Sequence, residues 1–225
     1  NIETYKNIYT FSNEVINSLP LQILVSDYDH TSKSWDKYFS AEWLNKKHNF
    51  AIIETLYNEK EDKKYKKKFV GFGDPDLSNN PLFNDLPNTR NELINLAQAS
   101  GGNLSDLYMR ESANFENFKK VIQSNAERIV IATHAFSSNS SNLTNESGIV
   151  LSSDIDGKKF VSASEIAQFD INTEWVVLSA CDTGLGKLNY SKNYSSISKA
   201  FLAAGGKSVL ISNWPIESGS SSQLT

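Results

Sequence analysis

Two residues of this chain could act together on a carbonyl carbon. Cys181 is the only cysteine, and His134 is one of only three histidines, with His30 and His48. Cys181 follows the apolar run WVVL (Trp175 to Leu178), after which the chain turns polar as Ser-Ala-Cys-Asp-Thr-Gly. His134 follows a second such run, RIVIAT (Arg128 to Thr133). Short β-branched runs bounded by small and polar residues read as strands buried on both faces, as in a parallel sheet. Two parallel strands joined by a crossover end on the same edge, where open α/β sheets bind their ligands. A thiol beside an imidazole there is a nucleophile with its base. His134 would take the proton of Cys181, the thiolate would attack a peptide carbonyl, and the backbone N–H groups of Ala135 and Cys181 would hold the oxyanion. That chemistry needs no metal and no cofactor.

Each residue alone has a plainer reading. A free cysteine behaves as a small hydrophobe, and a histidine near a core is more often a satisfied polar group than a base. The pair changes the reading. The 47 residues between them (181 − 134) leave room for one hairpin, one helix and a return strand.

The elements that must position the pair are legible in part. Apolar periodicity predicts a helix over Ile2 to Leu19, stopped by Pro20. Strands are predicted at Leu21 to Val25, Phe50 to Tyr57, Phe69 to Phe72, Ser105 to Met109 and Lys207 to Ser212, and a short helix at Glu42 to Lys47. The lysine-rich stretch Asn58 to Lys68 reads as a solvated loop. A helix over Thr89 to Ala99 has a Thr89/Glu92 capping box and ends at Gly101-Gly102. A second, amphipathic helix covers Glu111 to Gln123. Asp156-Gly157 predicts a type I′ hairpin turn between Gly148–Ser152 and Lys158–Val161. Ser162 with Glu165 predicts a capping box on a helix to Phe169, and Ser196 to Ala204 predicts a last helix. Ser137–Ser147 and Gly184–Ser195 read as exposed, mobile loops. The alternation of strands and helices argues an α/β fold with a largely parallel central sheet and helices on both faces.

Composition narrows the functional classes. Of the 225 residues, 39% are hydrophobic and 11% aromatic, enough for a packed core. A net charge of −4 argues against a nucleic-acid-binding protein. One cysteine excludes an internal disulfide, and three scattered histidines argue against a metal cluster. No apolar run reaches the roughly 20 residues of a membrane span. The chain reads as an excised fragment; the compartment stays open, with the cytoplasm favoured.

Four segments together carry a family resemblance: IATHAF (Ile131 to Phe136), DGKKFVSASEIAQFD (Asp156 to Asp170), WVVLSACDTG (Trp175 to Gly184) and AFLAAGGKSVLISNWPI (Ala200 to Ile216). In this order and spacing they resemble the CHAT domains, caspase-like peptidase domains of the clan that includes caspases, separases and gingipains. GFGDPD (Gly71 to Asp76) and LPNTRNEL (Leu86 to Leu93) look like weaker landmarks of the same family. The resemblance implies a caspase-hemoglobinase-like α/β/α sandwich as one domain over 1–225. Residues 1–68 match weakly, and 69–225 form the core, cut short at its C-terminus. It implies a cysteine endopeptidase with His134 and Cys181 as catalytic dyad and a protein or peptide substrate. Ser212, Asn213 and Trp214 would face that substrate, which would add to the last strand as a β-strand. It also implies a fused or separate helical-repeat partner that regulates the site.

The sequence departs from the family pattern in two ways. Ala135 stands where glycine is common, which constrains the oxyanion loop but leaves its N–H. The caspase Q-A-C-x-G string is absent, so aspartate specificity is not carried over. Asp182 either lends negative charge to a pocket for Lys or Arg or caps the turn after the strand, the second being favoured. Two other classes compete with the peptidase. One is a catalytically silent caspase-like module for protein interaction. The other is a nucleotide-binding domain, which would need a glycine-rich turn after the first strand where Ser26-Asp27-Tyr28-Asp29 stands.

Overall fold

The computed structural model describes residues 3–11, 21–31, 33–53, 64–136, 146–179 and 191–211, without the side chains of 191–196. The chain divides into two compact units, Asn1–Glu61 and Asp62–Thr225.

In the first unit, β1 (Asn7–Thr10), β2 (Val25–Asp27), β3 (Glu42–Trp43), α1 (Leu44–Lys47) and β4 (Asn49–Ile52) are short. β1 pairs with β4 in parallel and β2 with β3 antiparallel. The helix expected over Ile2 to Leu19 is corrected: Asn7–Thr10 is a strand, its alternating burial matching a pleat rather than a helical stripe. Residues 3–6 and 11 are not helical either, and residues 2 and 12–19 of that span lie outside the described residues. The expected strand at Leu21 is a 3-10 turn, Leu21–Ile23, and pairing starts only at Val25. His48 is buried, its Nδ1 donating to the Tyr5 carbonyl at 2.7 Å.

The second unit holds β5 (Lys67–Pro75), α2 (Pro87–Ala99), β6 (Leu107–Arg110), α3 (Phe115–Ile122), β7 (Ala126–Ala132), β8 (Ala135–Phe136), β9 (Gly148–Val150), β10 (Phe160–Ser162), α4 (Ala163–Ile166), β11 (Thr173–Leu178), α5 (Ser191–Ala203) and β12 (Gly206–Ile211). Five of these strands form one parallel sheet in the order β12-β11-β7-β5-β6. A small antiparallel sheet, β10-β9-β8, follows directly from β7.

Alternation along the strands builds two faces. Val70 and Phe72 of β5, Ile129 and Ile131 of β7, and Val176 and Leu178 of β11 pack with Phe118 and Val121 of α3, Ile166 of α4 and Phe201 of α5. The opposite residues, Phe69, Val130, Ala132 and Val177, pack with Leu93 and Ala97 of α2. Helices therefore flank both faces of the sheet, a mixed α/β fold of the caspase-like α/β/α kind.

Some local expectations are corrected. α2 begins at Pro87, with Leu86 as N-cap and no side-chain cap. Proline suits the first helical position because its missing N–H has no partner there anyway. Thr89 therefore falls inside the first turn, where its hydroxyl donates back to the Leu86 carbonyl at 2.7 Å. The helix does stop at Gly101, which takes φ +68°. The hairpin turn is not type I′, which needs two central residues at positive φ. Only Gly157 has it, after a turn closed by Gly157 N–H to Asp154 O at 3.0 Å. The Ser162/Glu165 capping box is present. α5 starts five residues before the expected Ser196, so 191–195 is helix rather than loop. The remainder of the two expected mobile loops lies mostly outside the described residues, as do Tyr57 and most of the lysine-rich stretch.

Candidate functional site

β7 is a strand because Ile129, Val130 and Ile131 are β-branched and have neighbours on both sides, β5 and β11. Its end is clamped to the hairpin. The buried Thr133 hydroxyl donates to the Val150 carbonyl at 2.8 Å, and Val150 N–H donates to the His134 carbonyl at 2.9 Å. That second bond makes Ala135 and Ile149, which face each other across β8 and β9, a non-hydrogen-bonded pair. The Ala135 N–H is thus not spent on the β8–β9 ladder.

The sheet order places a reversal of strand order between β5 and β7: β6 lies beyond β5, while β11 and β12 lie beyond β7. The crevice at the carboxyl ends of two such strands is the usual ligand site of an open α/β sheet. His134 follows β7 there. The residue is 3% exposed, and its ring packs against Phe83, centroids 5.2 Å apart. Nε2 lies 2.7 Å from the backbone carbonyl of Asn84. A carbonyl oxygen only accepts, so Nε2 carries the proton and Nδ1 carries the lone pair in the neutral ring. The ring is held in the tautomer that a base needs, with Nδ1 as the accepting atom.

The carbonyl that fixes this tautomer is itself held by a network of charges. Asn84 sits in the loop from Asp76 to Leu86. Within that loop, Asn80 Oδ1 accepts from Leu82 N–H at 2.9 Å and Phe83 N–H at 3.2 Å. Asp85 accepts from Leu77 N–H at 2.8 Å and from Arg110 Nη2 at 3.2 Å. Arg110, at the end of β6, also reaches Asp74 and Asp76 at 3.3 and 3.0 Å. Asp74 is fully buried and receives Arg90 as well, at 2.6 Å. A buried carboxylate is tolerable only when paired in this way. The Arg110 guanidinium, helped by Leu77 N–H, holds the Asp85 carboxyl below its ordinary range. Ser152 ties the hairpin to the same corner, donating to the Arg110 carbonyl at 2.6 Å and accepting from Asp76 N–H at 2.8 Å.

On the other side of the pair, β11 lies against β7 with Leu178 opposite Ile131. Ser179 N–H continues the ladder, donating to Ile131 O at 2.9 Å. Cys181, Asp182, Ser212, Asn213 and Trp214 lie outside the described residues. β11 was expected to be buried on both faces. It is buried on one, while Trp175 on the other is 42% exposed. The covering α2 packs chiefly over β5.

Sequence reasoning missed Asn84, Phe83, Asp85 and Arg110. Asp74 and Asp76 were noted only as parts of a landmark. The Asn84 carbonyl could not have been found, since every residue has one. Among the described residues, no group of three or more His, Cys, Asp or Glu is placed to hold a metal ion, and no helix is long and apolar enough to cross a membrane.

No curated protein matches the chain. A family model described as CHAT domain matches residues 2–225. The chain belongs to the CHAT domain family, a caspase-like family.

Proposed function

We propose that this chain is a cysteine endopeptidase in which His134 and Cys181 form the catalytic dyad. One observation carries the reading. β7 and β11 are adjacent and parallel with Ile131 opposite Leu178, and His134 and Cys181 each follow their paired residue by three positions (134 − 131 and 181 − 178). Equal offsets from paired residues favour a meeting on one rim. The Nε2–H bond to Asn84 supports the base role, because it makes Nδ1 the accepting nitrogen of the neutral ring.

In this mechanism His134 Nδ1 takes the proton of Cys181, and the sulfur attacks the scissile carbonyl carbon. The C=O electron pair moves onto oxygen, which accepts hydrogen bonds from the Ala135 and Cys181 N–H groups. Collapse of the intermediate expels the amine, which takes its proton from His134. Water, deprotonated by His134, then attacks the thioester; the C–S bond breaks and the acid leaves. The Asn84 carbonyl steadies the imidazolium at both proton transfers, as an acceptor on its second nitrogen. Ser212, Asn213 and Trp214 contact the peptide; Asp182 either lends its charge to a pocket for Lys or Arg or caps the turn after the strand, the second being favoured. A helical-repeat segment or partner regulates access.

The test is cleavage of a peptide library by the wild type beside Cys181→Ala and His134→Ala. Each variant is expected to lose at least about a thousandfold in kcat/KM, since dyad members act as a unit. Equal turnover by wild type and Cys181→Ala ends the reading and leaves a caspase-like interaction module in its place.

A further inference from the structure

We infer that the cavity beside His134 is a subsite for a large apolar side chain, aromatic or leucine-like, of a peptide substrate; this rests on the peptidase reading above.

The cavity has a volume of about 480 Å³. That lies within the range of roughly 300–1,000 Å³ typical of ligand sites. Its apolar walls are Leu82, Phe83, Phe136, Val150 and Phe160. Phe83, Phe136 and Val150 form an apolar cluster of their own with Leu77, separate from the two faces of the main sheet, and Phe160 packs on it. This cluster therefore shapes the cavity rather than filling the central core.

Two of the walls touch the candidate base. Phe83 packs on the His134 ring, and Val150 donates its N–H to the His134 carbonyl. From there a row of rings leads outward: Phe83 lies 6.4 Å from Phe136, and Phe136 lies 5.6 Å edge-on to Phe160. An extended peptide advances about 3.3–3.6 Å per residue. A substrate held at His134 therefore brings a side chain to the cavity from within about three positions of the scissile bond.

The charge around the cavity disfavours a cationic side chain, and the apolar walls disfavour an ionised one of either sign. Lys158 is paired with Glu165 and lies over the Phe115 ring, which leaves Lys159 as an exposed charge on the rim. The Glu165 carboxyl is pushed up by burial but brought lower overall by Lys158 and Ser162 N–H, so it stays ionised and keeps Lys158 engaged. Leu82, 42% exposed, stands at the mouth and would be covered by an apolar side chain entering beside it.

The experiment is cleavage-site profiling of a peptide library with the wild-type chain, Leu82→Trp, Phe160→Ala and Cys181→Ala. In the wild type, one position near the cleaved bond is expected to favour Phe, Tyr or Leu over Ala by about tenfold to a hundredfold in kcat/KM. Leu82→Trp narrows the cavity and is expected to reduce that preference to about threefold or less. Phe160→Ala widens it and shifts the preference toward larger side chains. Cys181-dependent cleavage that ignores apolar size at every position, or keeps its preference in both cavity variants, overturns the subsite and leaves the peptidase intact. Absence of any Cys181-dependent cleavage overturns the peptidase reading, and the subsite with it.

Discussion

Ile129 to Ala132 on β7 and Trp175 to Leu178 on β11 are apolar runs of equal length on neighbouring parallel strands. Their burial differs. On β7 every one of these residues is buried, with Val130 the most exposed at 3%. On β11 Val176 and Leu178 are buried, whereas Trp175 is 42% exposed and Val177 only half-buried. Leu210 on β12, opposite Val177, is 54% exposed. The difference comes from place in the sheet. β7 is the central strand, with α2 reaching its one face and α3, α4 and α5 serving the other side of the sheet. β11 is one strand further out, beyond most of the reach of α2. The imidazole thus follows a strand fixed from both faces, and the cysteine follows one fixed mainly from a single face.

The sharpest test of this contrast is a pair of truncations. Ile131 is fully buried in the larger core, so Ile131→Ala is expected to cost about 2–5 kcal/mol. Val177 is half-buried against the smaller core, and Val177→Ala is expected to cost under about 1.5 kcal/mol. Thermal or urea unfolding of both variants reads the difference directly. Equal losses would mean that the two strands are equally enclosed in solution.

These strands also show what could be read before the structure. The β-branched runs announced β7 and β11, and the alternation of elements announced a parallel sheet, because both follow from local patterns. Ser162/Glu165 and Gly101 were equally legible, since a capping box and a left-handed C-terminal residue act within a few positions. The exposure of Trp175 was not legible, because a run of four apolar residues reads the same beside one helix or two. Pro87 competed with Thr89 for the start of α2 and won on backbone geometry. The site divides in the same way. His134 was marked by its residue type and its place after a strand. Its partner Asn84 O belongs to the backbone, and the grip of Arg110 on Asp74, Asp76 and Asp85 joins positions that only the fold brings together.

That grip gives a middle-sized prediction about the β7 side of the comparison. Asp85→Asn keeps the shape of the side chain but removes the charge that engages Arg110, loosening the loop that carries Asn84. Loss of one charge-assisted bond of about 1 kcal/mol would lower kcat about three- to tenfold, with KM little changed, because the effect reaches substrate only through the base. The pH dependence has a definite sign. A carboxyl held below its ordinary 3.8 in the folded state adds stability above the unfolded value and loses it as pH falls through the folded value. The wild type is therefore expected to be the more stable protein at neutral pH. Its unfolding midpoint should fall faster than that of Asp85→Asn between about pH 5 and pH 3, closing the gap. A constant gap across that range would remove Asp85 from the anchoring of the loop.

The smallest expected effect lies on the exposed face of β11, and it is the one most able to break the comparison. Trp175→Thr keeps a strand-forming β-branched residue and gives up an aromatic ring that is already 42% in water. The buried remainder of that side chain would be worth about 0.9–1.7 kcal/mol, given that full burial of a large side chain contributes about 1.5–3 kcal/mol, and the part that Thr still buries brings the loss to about 1 kcal/mol. For a unit of this size that is a shift of about 2–4 °C at most in Tm. A loss as large as that of Ile131→Ala would show that something covers Trp175 and Leu210 in solution. β11 would then be enclosed as fully as β7, and the asymmetry between the two strands that lead to His134 and Cys181 would disappear.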